Sequence, residues 1–78
     1  MTQPSYIVPP NAQAAQAVRS SQIPARWTSS VAYRDFLLNA FTNGVTQDQA
    51  GQHIGDLFDK VALALMETIT RVNALEQR

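Results

Sequence analysis

The feature that most limits what this chain can fold into is an apolar seam in its C-terminal third. Ile54, Phe58, Val61, Leu65, Thr68, Val72 and Leu75 recur at alternating steps of four and three. On an α-helix that spacing gathers them into one stripe. No proline follows Pro24, so a long helix can run from about Gln47 to Glu76, roughly 45 Å from end to end. Little in the rest of the chain is long enough to cover it.

The chain has 78 residues, near the size where a single core only just sustains folding. It has no cysteine, so disulfides and thiolate metal sites are ruled out. One histidine, His53, cannot build a zinc site without an all-carboxylate remainder. Six basic and six acidic residues cancel and form no like-charged run. Nonspecific nucleic-acid binding and anionic-membrane binding normally need a basic face, so both are disfavoured. No apolar stretch approaches the roughly 18 residues of a membrane span, and no signal-peptide pattern opens the sequence. The expectation is a soluble chain with no cofactor, metal or small-molecule substrate. Assembly is the remaining source of stability.

The chain divides near Arg26 into an arm (1–26) and a helical hairpin (27–78). Pro4, Pro9 and Pro10 favour extended or polyproline backbone at the start. Tyr6, Ile7 and Val8 form a short apolar plug there. The arm is either disordered in the isolated protein or lies in a groove of a neighbouring subunit, with Tyr6 and Ile7 as anchors. Asn11 can cap a short helix over 11–22, rich in alanine and glutamine, which Pro24 would end. Trp27, the single tryptophan, is placed to close the end of a hydrophobic core.

A shorter helix is predicted from about Ser30 to Asn43, with Ser29 or Ser30 as N-cap. Tyr33, Phe36, Leu37, Ala40 and Phe41 give its amphipathic pattern, and Asn43-Gly44 its stop. Thr46 and Gln49 then form a capping box, with Asp48 at the positive end of the following helix. Gly51 and Gly55 near the start of the long helix either weaken it or let the shorter helix approach closely. Their spacing matches a membrane-dimer motif, but Gln52, His53 and Asp56 make that setting polar.

A short turn at Asn43-Gly44-Val45 folds the two helices into an antiparallel hairpin. The shorter helix should cover the first half of the longer one, near Ile54, Leu57, Phe58 and Val61. Beyond it, Leu65, Ile69, Val72 and Leu75 lack an intramolecular partner unless the arm folds back. Leu63 lies opposite the stripe and Met66 on its flank, while Val31 and Leu38 fall off the main face of the shorter helix. Two packing surfaces result, and the flanks Leu57, Ala62, Ala64 and Ile69 carry too little charge for a plain two-stranded coil. The expected interface residues are Leu65, Ile69, Val72, Leu75, Leu63 and Met66, joined by Tyr6 and Ile7 from the arm. The fold class is all-α, a helical hairpin behind a partly helical arm, in an oligomeric helical assembly.

Catalysis finds little support. His53 and Asp56 share a helical side, but no nucleophile completes them, since the serines cluster at 20–21 and 29–30. Residues 45–55, Val-Thr-Gln-Asp-Gln-Ala-Gly-Gln-His-Ile-Gly, resemble the second helix of repressor-type helix-turn-helix domains, with Ile54-Gly55 opening the turn. That resemblance implies a recognition helix after Gly55, yet Asp56, Leu57, Phe58 and Asp59 follow, a poor match to DNA phosphates. The extended arm, the abundance of Gln, Ala, Thr and Asn and the scarcity of lysine resemble small virion proteins of tailed phages. The leading expectation is a non-enzymatic structural or assembly protein, self-associating or docked on a larger structural protein, and on that resemblance a capsid-associated, connector or tail component. The alternatives are a small inhibitor of a host protein and a helix-turn-helix regulator.

Overall fold

The computed structural model describes residues 5–77. A short strand β1 (Tyr6–Val8) leads into helix α1 (Ala12–Arg19), followed by α2 (Thr28–Asn43), strand β2 (Val45–Thr46), a 3₁₀ turn (Gln47–Gln49) and α3 (Ala50–Glu76). The molecule is mostly helical and elongated, with extents of 60 × 25 × 15 Å. No helix among the described residues is long and apolar enough to cross a membrane.

Local chemistry accounts for most of these boundaries. Asn11 caps α1 by accepting a hydrogen bond from the Ala14 N–H at 3.0 Å. Ser20 and Ser21 hydroxyls donate back to the carbonyls of Gln16 and Ala17. Such back-bonding competes with helix continuation, and α1 ends at Arg19, short of the expected 22. Gly44 stops α2 with φ +76° and ψ 168°, a conformation open in practice to glycine alone. The capping box forms as expected, Gln49 Oε1 accepting from the Thr46 N–H at 3.1 Å and the Thr46 side chain accepting in return.

The arm departs from expectation, because it folds back onto its own chain. β1 pairs antiparallel with β2, Tyr6 opposite Thr46 and Val8 opposite Val45, with a bulge at Ile7. Gln47 N–H donates to the Ser5 carbonyl at 2.9 Å, and Asn11 N–H to the Phe41 carbonyl at 2.8 Å. The all-α expectation therefore gains a two-stranded ribbon over the interhelical turn, which leaves Val45 buried.

Helix α2 lies between α1 and α3. Helix α1 packs against α2, and Val31 and Leu38 are both partly buried. What remains inside is small: Ala15, Ala40, Val45 and Ala64, together with Ser30. Among the described residues no large side chain is fully buried.

Candidate interaction surface

The stripe of α3 that meets α2 is displaced by one residue from the apolar seam. It consists of His53, Leu57, Lys60, Ala64, Glu67 and Arg71, all buried or partly buried. His53 stacks on Phe36 with ring centroids 4.7 Å apart, so its ring serves packing. Glu67 reaches the first turn of α2, where its carboxylate accepts from the N–H of Ser29 at 3.0 Å and of Ser30 at 3.2 Å. The Ser30 hydroxyl donates to it at 2.9 Å. Arg71 donates to the Arg26 carbonyl at 3.2 Å and lies over the Trp27 ring, 4.9 Å from its centroid. Trp27 Nε1 and Arg71 Nε are buried there without a hydrogen-bond partner, which offsets part of what the stacking contributes.

These contacts correct two expectations. The start of α2 is Thr28, and its cap comes from Glu67, across the hairpin, in place of Ser29 or Ser30 acting locally. A carboxylate at that end satisfies orphan N–H groups and complements the helix dipole together. Desolvation raises the Glu67 pKa, but the Ser29 N–H, the Ser30 hydroxyl and N–H and the Arg71 charge outweigh it, holding the carboxyl below its usual 4.5.

The second correction concerns which residues α2 covers. Leu57 is partly covered, but Ile54, Phe58 and Val61 are exposed, Phe58 at 77%. Helix α2 chose the stripe offering a small floor at Ala64 and polar anchors at Glu67 and Arg71. The seam from Ile54 to Leu75 is consequently left open along its whole length; of the expected interface residues, Leu65, Val72 and Leu75 lie in its second half, and Ile69 is exposed on its flank. Leu63 and Met66 are exposed on other faces of α3. Of the arm residues, Tyr6 lies over Gly44 of its own chain and Ile7 sits at the bulge, both 41% exposed.

Gly51 and Gly55 are not sites of close approach within the protomer. A Cβ built on either meets no atom within 4 Å. Helix α3 also runs unbroken through Ile54-Gly55, where a helix-turn-helix would turn, so the resemblance over 45–55 has no matching geometry.

Beside the seam lies an apolar trough of about 630 Å³. One wall is Trp27 and Tyr33, the other Val61, Leu65 and Thr68, with Ala64 between them and Ile23-Pro24 at its edge. A second, more polar hollow contains His53, Asp56, Asn39 and Asn43, and no serine, threonine, cysteine or lysine among the described residues lines it. Among the described residues no three His, Asp or Glu side chains gather where they could hold a metal ion. In comparison with known proteins the chain matches no family model, no curated protein and no solved structure.

Proposed function

We propose that this chain is a non-enzymatic assembly protein that self-associates, or docks on a larger structural protein, through α3. The observation that carries the reading is the open seam. Six large residues of the stripe, Ile54, Phe58, Val61, Leu65, Val72 and Leu75, remain exposed in the protomer. Covering what remains exposed of each is worth about 1 kcal/mol, or roughly 6 kcal/mol per protomer before the cost of association. That is comparable to the whole stability of a domain this small.

Global dimensions support the same reading. The accessible surface is 5938 Å², against about 4,700 Å² for a folded monomer of this mass. The radius of gyration is 15.0 Å, against about 11.5 Å for a compact chain of this length. In its narrower form the assembly is a tailed-phage particle, with this chain a capsid-associated, connector or tail component. The composition supports that class, and the position of the gene beside capsid or tail genes tests it.

The broader reading is tested by sedimentation and light scattering of the purified chain over a wide concentration range, alongside thermal denaturation. A defined oligomer whose melting temperature rises with concentration is expected. A monomer that melts cooperatively at all concentrations would sink self-association and leave only docking on a larger protein.

A further inference from the structure

We propose that the seam is covered by a second copy of the same chain, its α3 parallel to the first, with Ile69 of that copy seated in the trough over Ala64. This deepens the assembly reading and rests on it. Three features of the structure lead to the occupant.

The first is period. The seam keeps steps of four and three for seven residues without a slip, a 3.5-residue repeat. That repeat suits a supercoiled helix of the same pitch better than an irregular surface. The pair is not a plain two-stranded coil, because Leu57 and Ala64 on one flank already belong to the stripe that meets α2. Phe58, Leu65 and Val72 then occupy one core position of the heptad, and Ile54, Val61, Thr68 and Leu75 the other.

The second is the match between the flanks. On the side facing α2 the flanking residues are Leu57, Ala64 and Arg71; on the free side they are Ala62, Ile69 and Glu76. In a parallel, in-register pair each residue of the first set faces the residue five positions further along the partner helix. Leu57 thus meets Ala62, Ala64 meets Ile69, and Arg71 meets Glu76. The small buried Ala64 at the trough floor receives the large exposed Ile69, and the one base is opposite the one acid. An antiparallel pair would set each flank against its own kind, leaving Ile69 on the side away from the trough.

The third is area. The whole-chain surface of 5938 Å² exceeds that of a compact monomer by roughly 1,200 Å², more than the roughly 800 Å² per partner that a stable interface buries. The chain is uncharged overall, so net charge does not oppose its pairing with itself.

Because the chain lacks cysteine, single cysteines in the full-length protein report the geometry directly. Phe58, Leu63 and Val72 are exposed in the protomer, so replacing them leaves its packing intact. Under mild oxidation Phe58→Cys alone and Val72→Cys alone should each form disulfide-linked dimers, because core positions of a parallel pair come within disulfide reach. Leu63→Cys should not. Cross-linking only when Phe58→Cys is mixed with Leu75→Cys or Thr68→Cys, which places unlike core positions face to face, would show an antiparallel pair and overturn the proposal. An oligomer by sedimentation that cross-links at neither position would overturn it too, while leaving the assembly reading in place. A cooperatively melting monomer would remove this pair and self-association together.

Discussion

Replacing Gly44 by alanine tests whether the arm is part of the folded protomer. Gly44 holds φ +76° and ψ 168°, and forcing an L-residue into that region costs of order 1–3 kcal/mol. Sterics add to this. A Cβ at position 44 would lie 2.7 Å from Pro10 Cδ, 2.8 Å from Tyr6 Cε1 and 2.9 Å from Tyr6 Cδ1. Pro10 is a rigid ring and Tyr6 is held in the ribbon, so neither can yield by simple side-chain rotation. The arm must lift or the turn must rearrange. Lifting it gives up the β1–β2 pairing and uncovers Val45, which is 3% exposed. The combined loss should be about 2–4 kcal/mol. Urea denaturation followed by Trp27 fluorescence and helical circular dichroism, at matched protomer concentration, measures it. In a Tyr6→Ala background the same substitution should cost less, because part of the clash has gone, while the backbone strain stays. A loss below about 0.5 kcal/mol with the β1 amides still protected from exchange would refute the reasoning.

Other perturbations separate the remaining claims. Glu67 has a lowered pKa, so its contribution to stability is full above 4.5 and fades as pH falls through the depressed folded value. Glu67→Gln should weaken the protein near neutrality and flatten the acid limb of a stability–pH profile; an unchanged acid limb would mean that the cap at Ser29 and Ser30 is not formed in solution. Leu65 and Leu63 are almost equally exposed in the protomer, 54% and 53%, so Leu65→Asp and Leu63→Asp should differ only in association. Leu65→Asp should raise the dissociation constant about a hundredfold, roughly 2–3 kcal/mol, and equal effects by sedimentation would mean that the seam is not the interface. Gly55→Ala should stabilise α3 by about 1 kcal/mol in thermal melts, since nothing in the protomer opposes the added methyl. Deleting residues 1–10 should leave helical dichroism almost unchanged but lower the melting temperature independently of concentration.

The elements that could be read from the sequence are those fixed by neighbours within a few residues. Asn11 bonding Ala14, Thr46 and Gln49 capping one another, and Gly44 ending α2 are all local transactions. Each involves residue types whose preference has a single mechanism, so spacing alone reveals them. The partners that were not legible are distant. Ser5 and Gln47, Phe41 and Asn11, and Glu67 with Ser29 and Ser30 are separated by stretches that carry no signal of the meeting. Glu67 looks like an ordinary surface acid until α2 is laid across it.

The same distinction explains why periodicity reveals the apolar stripe but not the stripe that α2 covers. Periodicity identifies the stripe with the most hydrophobic surface, and it is natural to give that stripe to the nearest helix. Intramolecular packing instead selects for fit and for satisfied backbone ends. The stripe through Ala64 lets α2 settle over a small residue, and Glu67 satisfies donors at the start of α2 that a leucine would leave bare. With that stripe taken, the richer one is available to another chain. A sequence in which the best apolar seam and the best intrachain contact lie on adjacent faces of one helix is therefore suited to form a hairpin first and an assembly second. The Glu67 cap and the Leu65 seam separate those steps experimentally: Glu67→Gln should destabilise the hairpin at every concentration, whereas Leu65→Asp should act only where chains meet.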